Sequence, residues 1–162
     1  MPVRYTDEQI AALLQERKVL PASFRDTSPQ RRMKCSDEWN TTVTGEDGNV
    51  FELRVRQSRL QAQDFSVILL LCPTGSSSSF RLRRHNGRGH EHTNPIERER
   101  FDGFHVHMAT ARYQEMGSRE DSYAQPTTRY TDVWEALDCM LTDAGFEVEQ
   151  GAQLRLLEGD AP

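Results

Sequence analysis

All five histidines of the chain, His85, His90, His92, His105 and His107, fall within one stretch of 23 residues. Imidazole titrates nearest neutral pH and is the commonest metal ligand. The cluster therefore points to two chemistries. Cleavage of RNA without a metal needs a base for the 2'-hydroxyl, an acid for the leaving oxygen and cations for the phosphate. His105 and His107 are the candidate proton-transfer pair, with His85 beside them. Arg81, Arg83, Arg54 and Arg56 are the candidate phosphate ligands, because a guanidinium can grip an oxyanion through two parallel N–H groups. This reading calls for no cofactor. The second chemistry uses the H-x-H pairs. Two histidines spaced by one residue on a strand project to the same side, a usual way for a β-scaffold to hold a metal. His90 and His92 are the candidate ligands, and a divalent ion such as zinc is the cofactor that reading requires.

The other common reactive arrangements are missing. There is no P-loop, no G-x-G-x-x-G and no G-x-S-x-G. Cys35, Cys72 and Cys139 are far apart and odd in number, which suits reduced thiols and a cytoplasmic protein. Glu97 and Glu99 lie in a charged run and are expected on a solvated surface. Charge is uneven. Residues 50–100 hold nine basic and five acidic side chains, whereas residues 101–162 hold four basic and twelve acidic ones. The histidines thus overlap the basic part of a chain whose net charge is -5. A basic island either binds an anionic partner or neutralises the acidic part of its own fold.

The elements that position these residues follow from periodicity. Thr6 and Gln9 form a capping box, and Ile10, Leu13 and Leu14 follow at helical spacing. Residues 21–36 have no period and read as a loop. The period then changes to two. Trp39–Thr44 is β-prone, Glu46-Asp47-Gly48-Asn49 is a hairpin turn, and Phe51, Leu53 and Val55 alternate with charged residues. Phe65–Leu71 is apolar nearly throughout, as in a central strand. Phe80 and Leu82 alternate with Arg81 and Arg83. His90–Asp102 reads as irregular. Phe104, Val106 and Met108 alternate with His105 and His107 in the last clear strand. Asp132 and Glu135 open a second helix, which Gly145 stops.

The fold expected is α+β: an antiparallel sheet of four to five strands, with an N-terminal and a C-terminal helix packed on one face. Residues 1–150 form one domain, and 151–162 a partly ordered tail. No run is long and apolar enough to span a membrane. Strict alternation puts Arg54, Arg56, Arg81, Arg83, His85, His105 and His107 on the face away from the helices. A single β-bulge would scramble part of that set. The plain alternative is a solvated sheet face that carries long polar side chains without a task.

Three motifs in order, Arg83-Arg84-His85-Asn86-Gly87, His90-Glu91-His92-Thr93-Asn94-Pro95 and Phe104-His105-Val106-His107, resemble a domain of unknown function found in small bacterial, archaeal and phage proteins. The resemblance covers about residues 5–147 and brings no established activity. More distantly, the Arg-rich strand before an H-x-H segment is similar to TumE-type toxins of toxin–antitoxin pairs, which implies a ribonuclease toxin or phage-defence role. The reading that follows is a small RNA-acting protein, a ribonuclease if it is an enzyme. The alternatives are a non-enzymatic interaction module, antitoxin-like or inhibitory, that meets a protein partner through the acidic C-terminal part, and a His-ligated metal protein.

Overall fold

A computed structural model describes residues 3–32 and 34–149; the expected tail, 151–162, lies outside the described residues. The chain begins with helix α1 (Asp7–Gln15). Its Thr6 hydroxyl accepts from the Gln9 amide at 3.1 Å, and the Gln9 side chain accepts from the Thr6 amide at 2.9 Å. This is the capping box read from the sequence. Strand β1 (Lys18–Leu20), a 3-10 turn (Ala22–Phe24) and the two-residue strand β2 (Arg31–Arg32) follow. Then come β3 (Ser36–Thr44), β4 (Val50–Ser58), β5 (Phe65–Leu71) and β6 (Phe80–Asn86). The remaining elements are β7 (His92–Asn94), β8 (Glu99–Phe101), β9 (His105–Met108), α2 (Ala111–Glu115), β10 (Tyr123–Pro126), α3 (Val133–Asp143) and β11 (Phe146–Val148).

The architecture is α+β, as expected, but the sheet is larger than four or five strands. Seven strands lie in the order β10-β9-β6-β5-β4-β3-β2, and every neighbouring pair is antiparallel. The extra strands, β2 and β10, are two and four residues long, too short for alternation to show in the sequence. The segment expected to be irregular contains the β7–β8 hairpin, and β1 pairs in parallel with β11.

One hydrophobic core joins the elements. Phe51, Leu53 and Val55 of β4, Phe65, Val67, Leu69 and Leu71 of β5, and Leu82 of β6 meet Val133, Ala136, Leu137 and Met140 of α3. Ile10 and Leu14 of α1 belong to the same core. The α3 stripe follows from helical spacing, and the sheet stripe from the pleat. Among the described residues no helix is long and apolar enough to cross a membrane.

The pleat is interrupted once in β6. Leu70 faces Arg81 and Leu69 faces Arg83, so Leu82 is an extra residue opposite that pair. Residues after a bulge change sides relative to a strict period of two. Arg83 and His85 therefore join the core face, alongside Leu69 and Val67. Arg84 and Asn86 take the opposite face. The doublet Arg83-Arg84 is the visible trace of this in the sequence, because it is the one place in the strand where charged residues are adjacent.

Candidate functional site

The opposite face of the sheet carries two cross-strand rows. In the first, Arg54, Ile68, Arg84, His107 and Ala124 are successive partners across β4, β5, β6, β9 and β10. In the second, Arg56, Ser66, Asn86, His105 and Pro126 are. The β7–β8 hairpin rises beside them and adds His92. It is fastened by Asn94, which is fully buried. The Asn94 amide donates to Ala124 O at 2.7 Å, and its Oδ1 accepts from Ala124 N at 2.9 Å. Asn94 thus supplies the pairing that β10 would otherwise lack on its outer edge. The result is a cleft of about 530 Å³, with Arg54, Arg56, Arg84, Arg88, Arg119, His90, His92, His105 and His107 among its lining residues.

Three imidazoles cluster at its floor. The ring centroids of His92 and His107 are 4.7 Å apart, those of His105 and His107 5.0 Å, and those of His92 and His105 5.7 Å. His105 and His107 are each 4% exposed. His105 Nδ1 lies 2.7 Å from Gly103 O, and His107 Nδ1 2.8 Å from Asp121 O. Carbonyl oxygens only accept, so both Nδ1 atoms carry the proton and both Nε2 atoms a lone pair. His92 Nε2 lies 2.8 Å from Asn94 Oδ1, which places its lone pair on Nδ1. Burial holds His105 below the usual imidazole range, helped by His92 and Arg84. Burial, Arg84 and His105 push His107 down to about 2. Both rings are therefore neutral lone-pair carriers at neutral pH.

Arg84 sits between these rings and Asp121. Its Nε is 3.2 Å from Asp121 Oδ2, as an ion pair without hydrogen-bond alignment. Asp121 is fully buried, and Arg119 Nε meets its other oxygen at 2.7 Å. One carboxylate thus holds two guanidinium groups at the end of the cleft while its backbone oxygen orients His107.

The sequence-predicted residues divide accordingly. Arg54, Arg56, His105 and His107 share the cleft. His85 does not, and this is a correction. The bulge turns it to the core face, where it is fully buried, its Nδ1 is 3.1 Å from Ala136 O of α3, and its ring stacks on Tyr130. Arg83 follows it and pairs with Asp143 at 3.5 Å. Arg81 lies on the other side of the bulge, outside the cleft lining, with its amide bound to Glu120. His90 and His92 separate as well. His92 joins the imidazole cluster, whereas His90 is exposed at the rim. Glu97 is not solvated, because it bonds to the Tyr113 hydroxyl and pairs with Arg112. Sequence reasoning missed Arg84, Asn86, Asn94, Arg119 and Asp121. The first two were hidden by the bulge. Asn94 and Asp121 act through contacts far along the chain, and Arg119 through its neighbour Asp121.

Comparison with family models, with curated proteins and with solved structures finds no match to this chain.

Proposed function

We propose that the protein acts on RNA in this cleft, as a small ribonuclease of the toxin or phage-defence kind. The observation that carries the reading is a three-imidazole cluster beside the Arg84 guanidinium, on the floor of a cleft walled by arginines. Arg84 Nε is not aligned with Asp121, and the Arg84 side chain lines the cleft where a phosphodiester would lie. Arg88, together with Arg54, Arg56 and Arg119 once they exchange their carboxylate partners Glu52, Asp64 and Asp121 for phosphate, would follow the backbone of a single strand.

The imidazoles activate the attacking oxygen through their lone pairs. His105 and His107 are too close to each other and to Arg84 to work as a proton donor and a proton acceptor at once, so an imidazole takes the 2'-hydroxyl proton and water in the open cleft protonates the leaving oxygen. A phosphate paired with Arg84 relieves the Arg84 share of the lowered basicity of these rings, while burial, the larger cause, remains. The interaction-module alternative is weaker, because acidic groups of the C-terminal part are engaged within the fold. Asp121 holds Arg84 and Arg119, Asp143 holds Arg83 and Arg129, and Asp138 holds Arg25.

The test is cleavage of a labelled single-stranded RNA by the wild type and by the His105→Gln/His107→Gln double variant, each with and without chelator. The double variant is expected to lose at least ~100-fold in rate, the scale of one general-base contribution. Equal rates for the two proteins would refute the assignment.

A further inference from the structure

We propose that His92, His105 and His107 together bind one divalent transition metal ion, of the zinc class, on the floor of the cleft. This is independent of the RNA reading: with an ion bound the three lone pairs are ligands and no longer serve as bases.

The first argument is spacing. Zinc–imidazole bonds of ~2.0–2.1 Å place each ring centroid about 3.2 Å from the ion, and three such rings at tetrahedral angles lie about 5 Å apart. The observed separations of 4.7, 5.0 and 5.7 Å bracket that figure. The second is tautomer. Each ring has one nitrogen committed to an oxygen that can only accept: Gly103 O, Asp121 O and Asn94 Oδ1. The Asn94 orientation is itself fixed, since its two amide atoms pair with the N–H and the C=O of Ala124. Metal-binding histidines are held in this way, with the outer N–H bonded to a carbonyl or carboxylate and the other nitrogen bare. The third is that the bare nitrogens are nearly idle. Among the described residues no hydrogen bond reaches His107 Nε2 or His92 Nδ1, and His105 Nε2 has only Asn86 Nδ2 at 3.4 Å.

The cluster is not yet closed on an ion. Among the described residues no three His, Cys, Asp or Glu side chains stand together at ligating geometry. The His92 and His105 rings lie within 18° of parallel, so their in-plane lone pairs do not converge. His92 must turn. It is the half-buried member, and the turn that brings its Nδ1 inward must pivot on Nε2, which stays with Asn94 Oδ1. Three protein ligands leave a fourth position on the cleft side for water or for a phosphate oxygen held by Arg84.

The experiment is equilibrium titration of the full chain with Zn²⁺ and with Co²⁺, the latter followed by visible absorption. One equivalent is expected to bind, with the absorption of a four-coordinate cobalt site. His92→Gln, His105→Gln and His107→Gln should each weaken binding by at least ~100-fold, the upper end of what loss of an orienting partner alone costs. His90→Gln should leave binding within about threefold, well short of that loss. Long-range nitrogen spectra of the wild-type imidazoles need no variant: Zn²⁺ should shift Nε2 of His105 and His107 and Nδ1 of His92. Substoichiometric uptake, unmoved imidazole signals, or binding abolished by His90→Gln but kept in His107→Gln would overturn the proposal. RNA cleavage on the same samples separates the two ideas. Metal uptake without cleavage keeps this site and removes the RNA reading. Chelator-insensitive cleavage without uptake does the reverse.

Discussion

Burial separates His85 from the imidazoles of the cleft. Packed under α3 and stacked on Tyr130, it is pushed down to about 4, mainly by desolvation. An unfolded histidine takes up its proton near pH ~6.5, and the folded one only near 4. Between those values the unfolded chain binds more protons, so stability is fully present above ~6.5 and falls as pH drops toward 4. The loss from this one residue is about 3 kcal/mol, from ~1.4 kcal/mol per pH unit. Urea unfolding across that range should show a shallower pH dependence for His85→Gln, by one proton. Equal slopes would mean that His85 is not held neutral. Lys18 is a second buried titratable group that sequence gave no reason to single out. Its Nζ, with three N–H donors, lies within hydrogen-bond distance of Leu13 O, Leu14 O, Glu16 O and Ala144 O, and so caps the ends of α1 and α3 together. Its neighbours in sequence, Arg17 and Val19, look no different from it in any local pattern. Only the meeting of two helix ends, 126 residues apart in the chain, makes it a structural cation.

At the level of elements, alternation was legible where strands are long. Phe51, Leu53 and Val55 face the core as read, and so do Phe65, Val67 and Leu69. Alternation then placed Arg54, Arg56, His105 and His107 on the other face, and they line the cleft. It failed in β6, because one extra residue changes the side of everything after it. That exchanged Arg83 and His85 for Arg84 and Asn86. The β7–β8 hairpin was illegible for another reason. Its strands are three residues each and are fastened by the side chain of Asn94 rather than by an apolar stripe. Gly87 closes β6 by close approach. A Cβ there would lie 2.0 Å from Gln63 O and 2.8 Å from the Phe65 ring. Gly87→Ala must push the start of β5 away from the end of β6, next to Asn86 and His105. A loss of about 1–3 kcal/mol, the usual cost of overpacking, is expected in chemical denaturation. An unchanged midpoint would show that the β5–β6 junction is looser than described.

Across the whole molecule, charge is sorted by face rather than by segment. The basic stretch 50–100 and the acidic stretch 101–162 meet in ion pairs at Asp121 and Asp143, and this consumes part of the acidic excess. Arg54, Arg56, Arg84, Arg88 and Arg119 line one cleft, four of them in ion pairs with Glu52, Asp64 and Asp121. The histidine cluster in the sequence marked the right region, but only the fold selects which imidazoles share a floor. The most direct test of the central claim, that this cleft is where ligand binds, is backbone and side-chain shift mapping with a short single-stranded RNA. The account predicts that the largest changes fall on Arg56, Arg84, His92, His105 and His107, with His85 unmoved. Changes centred instead on the separate groove lined by Tyr5, Phe80 and Gln114, or none at saturating RNA, would contradict it.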